Sequence, residues 1–308
     1  MKSKFKLVVL TWMVSCTLGF AQQDPQYSLY MFNTMSLNPA YAGSRDVLNV
    51  TMLYRNQWSG IKGAPESVTI AADMPVMNEK IGLGAMVYKD KIGIENNTGL
   101  YLSYAQRIRI TNAGTLALGG TLGGSLYSAD VTNATLYLGQ SDVVFTNNVN
   151  KFVPNLGLGI YYSTDKWYTG ISMPRTYNNQ LYSDKSLTIS ASQARHYFLM
   201  AGFVKKMGAI VVVKPSFMAK AVTGAPVQVD LNLNVWFYNK FSVGASYRNA
   251  DAIIGILEFI PAQGWKLGYA YDYTISDLSN SVTSGSNEIM LRYEFAGSKS
   301  KVISPRYF

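Results

Sequence analysis

Few side chains in this sequence are equipped for covalent or metal chemistry. His196 is its one histidine and Cys16 its one cysteine. A single imidazole, set between Arg195 and Tyr197 at the start of an alternating run, rules out a two-histidine metal site within the chain. No nucleophile elbow, HExxH helix or phosphate loop is present. Gly119, Gly120, Gly123 and Gly124 form a glycine-rich stretch, but they fall inside an alternating run, where glycine marks close packing or a bend. The expectation is a protein that is not an enzyme and uses no cofactor or metal.

What remains is a set of charges at every second position of apolar runs. Trp265, Leu267, Tyr269, Tyr271 and Tyr273 alternate with Lys266, Gly268, Ala270, Asp272 and Thr274. Ile289, Leu291, Tyr293 and Phe295 alternate with Glu288, Met290, Arg292 and Glu294. The clearest run sets Val227, Val229, Leu231, Leu233, Val235 and Phe237 against Gln228, Asp230, Asn232, Asn234, Trp236 and Tyr238. A period of two places one face in an apolar medium and the other in a polar one, and only a strand sorts residues so. A Lys or Arg facing a bilayer midplane costs roughly 2–4 kcal/mol, so the charged face must point into a wet lumen.

Such runs predict fourteen strands, at 46–57, 66–74, 80–89, 98–110, 114–127, 152–163, 166–175, 195–206, 209–219, 226–238, 241–249, 252–260, 265–275 and 286–296. Most approach the 9–11 or so residues that a tilted strand needs to cross a bilayer. The long links, 58–66, 90–97, 128–151, 177–193, 220–226 and 276–285, share one parity, and 250–251 is the one short link on that side. Tight turns such as Thr164-Asp165, Met207-Gly208 and Asn239-Lys240 share the other. Short periplasmic turns with longer external loops describe an outer-membrane barrel. A water-soluble β-sandwich also alternates, but 15% charged residues are few for its exposed face, and 22 tyrosines suit interfacial girdles. The fold class is thus all-β, a transmembrane antiparallel β-barrel in the outer membrane, over about residues 46–297. Lipid cannot satisfy an open sheet edge, so the first and last strands must pair.

Lys2, Lys4 and Lys6 precede an apolar run from Leu7 to Phe20, with Gly19 and Ala21 around its end, the order of a secretory signal cleaved after Ala21. The run is too short for a membrane-spanning helix. Met13-Val14-Ser15-Cys16 also approximates a lipoprotein box, though the apolar run continues past it. Removing those three lysines from the 27 basic residues leaves 24 against 18 acidic ones, a dispersed net +6 that does not predict a nucleic-acid partner. Residues 298–308 form a basic tail ending in Tyr307 and Phe308, expected in the periplasm beside the N-terminal segment.

Residues 22–45 fit neither helix nor sheet, because Pro25 and Pro39 each remove a donor. Their DPQYSLYMFNTMSLNPAYAGS, the following LYRNQWSGIKGAPES, then AADMPV, KIGLGAMVYKDKIG and the closing EIMLRYEF resemble the PorP/SprF family of type IX secretion system membrane proteins. The first motif takes in Asp24, Pro25, Gln26, Tyr27, Ser28, Tyr30, Phe32 and Asn33, then Leu37, Asn38, Pro39, Ala40, Tyr41, Ala42 and Gly43. The resemblance implies a barrel embedded in outer-membrane lipid that works with periplasmic type IX components. It also implies support for export or anchoring of a surface adhesin, through that adhesin or its C-terminal sorting domain, and for gliding-type motility. The residues leave a passive channel or hydrophobic-solute porin as the alternative.

Two placements of the N-terminal segment are open, a plug in the lumen or a coat on the periplasmic rim where partners dock. Leakage through a wide polar barrel favours the plug. By parity the segment is expected to start on the periplasmic side, and buried Asn33 and Asn38 would need hydrogen-bond partners. Arg55, Asn56, Gln57 and Trp58, at the outer end of the first strand, are candidate contacts for exported cargo. Alternatively, Arg55 pairs with a lumenal carboxylate and Trp58 belongs to the outer girdle.

Overall fold

The computed structural model describes residues 27–111, 113–130, 148–177, 179–184, 189–276, 283 and 285–295. The expected signal peptide, Asp24, Pro25, Gln26 and the basic tail lie outside them.

Fourteen strands form the wall: β1 Asn49–Asn56, β2 Glu66–Val76, β3 Ile81–Ile92, β4 Glu95–Arg109, β5 Thr115–Ala129, β6 Val149–Ser163, β7 Trp167–Met173, β8 His196–Phe203 resumed as Lys205–Met207, β9 Val211–Val222, β10 Gln228–Phe237, β11 Phe241–Arg248, β12 Ala252–Phe259, β13 Trp265–Thr274 and β14 Ser286–Glu294. Each pairs antiparallel with its neighbour in sequence, and β14 returns to β1 with Asn49 opposite Glu294 and Asn56 opposite Asn287. The sheet is therefore a closed barrel, with no edge left for lipid to meet. A separate hairpin, Gln180–Asp184 with Ile189–Ser192, stands in the link between β7 and β8.

Side-chain parity follows the pleat. Along β10, Asp230, Asn232 and Asn234 are buried, at 1%, 4% and 0% exposure, whereas Leu231 and Leu233 are 55% and 48% exposed on the outer face. Polar residues are inside and apolar ones outside, the reverse of a soluble domain, and the outer face is the one that lipid covers. Among the described residues no helix is long and apolar enough to cross a membrane.

Several edges differ from the sequence expectation. Asp46 has φ +60°, so the chain turns there and β1 begins only at Asn49. β3 and β4 run on to pair Lys91 with Asn96 and Ile92 with Glu95. Their link is Gly93–Ile94, not the longer Asp90–Asn97, and Gly93 supplies the turn with φ +55°. The ladder continues because Lys89, Lys91, Glu95 and Asn96 are soluble on either face, so β3 to β6, at 12–15 residues, exceed what the bilayer needs. β8 is interrupted at Val204, next to the point where Pro215 of β9 has no N–H to give; on its other side the Val204 amide donates to Lys166 O at 2.7 Å, in line with the β7 pairing.

Candidate functional site in the barrel lumen

The inward face of the wall holds more charge than water-exposed pairing would explain, because it meets a second layer of protein. Tyr27 to Ser44 folds as three 3₁₀ turns, Tyr30–Phe32, Thr34–Ser36 and Pro39–Tyr41, whose side chains are almost all buried. Such short turns suit a stretch whose prolines and asparagines forbid a longer ladder.

At one end the segment is pinned by carboxylates. Glu288, fully buried on β14, accepts the backbone amides of Ser28 at 2.7 Å and Leu29 at 2.9 Å. The Ser28 hydroxyl donates to Asp272 of β13 at 2.7 Å. Arg55 of β1 donates to Asp272 at 2.8 Å, and to Glu288 and the Ser28 hydroxyl at 3.1 Å each. Arg248 of β11 closes the cluster by gripping Asp230 of β10 with Nε and Nη2 at 3.0–3.1 Å. Every member is at most 3% exposed. Charges taken from water to this degree persist only when paired and hydrogen-bonded on several sides.

Further along, the Tyr30 hydroxyl accepts from Asn232 at 2.5 Å. The Phe32 ring faces the Lys266 ammonium and the Arg292 guanidinium of two adjacent strands, 5.6 and 5.7 Å from its centroid. The Asn38 amide donates to Ile160 O at 3.0 Å and Ile171 O at 3.4 Å, while its oxygen caps Ala40 N at 3.0 Å. Asn33 departs from expectation: its Nδ2 has no partner among the described residues.

The opposite wall makes room with glycine. A methyl at Gly82 would overlap the Ala42 carbonyl, one at Gly119 the Ala40 backbone, and one at Gly159 the Asn38 side chain. Gly43 then turns with φ +70° and donates to Asp73 at 2.8 Å, before Arg45 pairs with Glu294 at 2.6 Å and Asp46 with Arg107 at 3.1 Å.

The direction of this path corrects the parity expectation. Tyr27 and Ser28 meet Thr69, Arg55, Asp272 and Glu288, which stand toward the long-loop ends of their strands. Gly43 and Arg45 meet residues at the short-turn ends. The described segment thus begins toward the external end and descends to the periplasmic rim where β1 starts. The parity of strand ends fixes only where β1 begins, and says nothing about the lumenal path before it.

Of the second motif, Arg55 points inward into the carboxylate cluster, so it offers no external contact. Asn56, Gln57 and Trp58 are half-buried at the long-loop rim. Asn56 Oδ1 accepts from Ser59, Gln57 N donates to Pro65 O, and Trp58 sits at φ +52° with its amide on Ser286. Sequence reading marked Asp230, Asp272 and Glu288 as inward, but did not connect them to the N-terminal segment, and it missed Arg248, Gly82 and Gly159. Among the described residues no group of His, Cys, Asp or Glu is placed to hold a metal.

A closed antiparallel barrel with an apolar exterior and a charged interior is an outer-membrane β-barrel protein. The fold agrees with solved barrels: a monoaromatic hydrocarbon channel, CymD, aligns at 11% identity over 86% of this chain and 93% of its own, with TM-score 0.52. The Ralstonia pickettii toluene transporter TbuX aligns at 11% over 85% and 93%, with TM-score 0.49, and Acinetobacter baumannii Omp33 at 8% over 81% and 98%, with TM-score 0.46. No curated protein sequence matches. The chain matches the family described as type IX secretion system membrane protein PorP/SprF over residues 19–293, and it belongs to that family. It is an outer-membrane component of type IX secretion, in contact with lipid and with the secretion machinery.

Proposed function

We propose that this barrel is a plugged, non-enzymatic accessory of the type IX route, which supports export or surface anchoring of an adhesin, and through it gliding-type motility, rather than a passive pore. Its division into an N-terminal plug and a barrel belongs to this reading. The supporting observation is the pinning of Ser28 and Leu29 by Glu288, with Arg55 and Asp272 around them. A lumen filled by the chain's own N-terminal segment offers no wide aqueous path of the kind an open porin provides.

On this reading Asn56, Gln57 and Trp58 at the long-loop rim are the cargo contacts, taking up the adhesin or its C-terminal sorting domain. Arg55 is a positioning residue, and the short-turn rim meets the periplasmic partner. The test has two parts. Purified wild type is expected to be silent in a planar bilayer and to conduct once residues 24–43 are deleted. Loss of the gene is expected to remove particular proteins from the cell surface. Conductance by wild type together with an unchanged surface proteome would establish the hydrophobic-solute porin instead.

A further inference from the structure

Outside the lumen, the lipid face of β7, β8 and β9 carries a groove toward its periplasmic end. Thr169, Ala201 and Pro215 stand between the larger Trp167, Phe203 and Phe217, all on the outward parity of three adjacent strands, and the space they leave is about 610 Å³. That lies within the roughly 300–1,000 Å³ of small-ligand sites. The groove falls where the β8–β9 ladder lapses beside Pro215. Nothing in the secretion reading uses it.

Between the groove and the periplasm stands a charge. Phe203, Lys205 and Met207 follow one another on the outward side of β8, and all three are exposed. Among the described residues of the wall strands, Lys205 is the one charged side chain that faces outward in the periplasmic half; Glu66, Lys89 and Lys91 also face outward, but at the long-loop ends. The Lys205 ammonium makes no ion pair or hydrogen bond with another described residue. Lys206 and, in the turn before β7, Lys166 are exposed at the same rim, where Asp165 is the one acid in the turns on either side.

A lysine flanked by Phe and Met on a lipid face lays its stem along the apolar surface and carries its head to the phosphates. Basic side chains at that depth attract anionic lipid. An apolar groove toward the bilayer centre with a cation at its periplasmic end matches the order of a phospholipid, chain then phosphate.

We infer that this surface binds an anionic diacyl phospholipid of the periplasmic leaflet, with an acyl chain in the groove and the phosphate on Lys205. Phosphatidylglycerol presents its phosphate without a second charge, whereas the ammonium of phosphatidylethanolamine is repelled by the neighbouring Lys166 and Lys206. The inference draws on the orientation of the barrel in the outer membrane and on nothing about its cargo.

The test is native mass spectrometry of the detergent-solubilised full-length barrel, titrated with phosphatidylglycerol or with phosphatidylethanolamine of the same chains, and with folding checked by heat-modifiable gel migration. One phosphatidylglycerol is expected to bind about fivefold more tightly than phosphatidylethanolamine, or better, the effect of one basic side chain near the surface. Lys205→Gln is expected to bring that ratio to within about twofold of unity. Ala201→Phe, which fills the groove and keeps the charge, is expected to weaken both lipids, and Lys91→Gln, at the other end of the wall, neither. Equal affinity for the two lipids in wild type, which needs no variant, would overturn the inference, as would unchanged binding by folded Ala201→Phe. A lipid-free dimer as the main species, dispersed by Ala201→Phe, would assign the groove to a second copy of the chain and overturn it as well.

Discussion

Glu288 is where the wall and the N-terminal segment are most directly coupled, so Glu288→Gln tests whether the segment is held by charge. The carboxylate accepts two backbone amides with separate oxygens and also faces Arg55. A glutamine of the same shape keeps one acceptor, turns an N–H₂ toward the second amide, and leaves Arg55 with Asp272 as its one ion-pair partner in the cluster. Removing one member of a buried pair costs about 3–5 kcal/mol. If most of that falls on docking, the open fraction of the segment rises by roughly two to three and a half orders of magnitude. The readout is a Met31→Cys probe, since Met31 is 2% exposed and the chain's only cysteine lies in the expected signal peptide. Maleimide labelling of folded Met31→Cys barrels is slow if labelling waits on undocking, and its rate follows the open population when redocking is fast. Glu288→Gln in the same background is expected to label about a hundredfold faster or more. Rates agreeing within about threefold, with both proteins folded, would show that the carboxylate does not hold the segment and that the buried pairs only brace the wall.

Three further outcomes follow from the same geometry. Gly82→Val puts a side chain into the Ala42 carbonyl; the barrel is expected to remain heat-modifiable, while the Met31→Cys probe becomes accessible, at an overpacking cost of about 1–3 kcal/mol or more. Asn38→Ala removes two bonds to the wall and the cap on Ala40, each worth about 0.5–1.5 kcal/mol, so labelling is expected to rise by about tenfold to a thousandfold, with urea unfolding of the barrel less affected. Leu233→Arg, midway along β10 on the lipid face, is expected to lower unfolding stability in lipid vesicles by about 2–4 kcal/mol, and the same change at Phe241, next to a periplasmic turn, by about 0–1 kcal/mol.

The wall was legible because its physics is local. Each strand carries its own sorting, so Leu231 against Asn232 and Leu291 against Arg292 announce their faces without reference to any neighbour. Consecutive antiparallel pairing then leaves one closed arrangement once lipid forbids an edge. Edges were less legible: nothing in Asp90–Asn97 says whether its polar residues loop out or continue the ladder, since both leave them in water. The N-terminal path was the least legible part, because its partners, Ser28 with Glu288 and Asn38 with Ile160, are separated by 260 and 122 positions. One signal was available. Inward positions that hold glycine, such as Gly82, Gly119 and Gly159, leave the wall hollow on one side, while inward Asp230, Arg248, Asp272 and Glu288 crowd the other. Charges that cannot all pair across neighbouring strands, facing hollows no wall residue fills, require another chain segment between them. The Tyr-Met-Phe-Asn-Pro stretch is suited to occupy it because it has aromatic mass for the hollows and free backbone amides for the carboxylates.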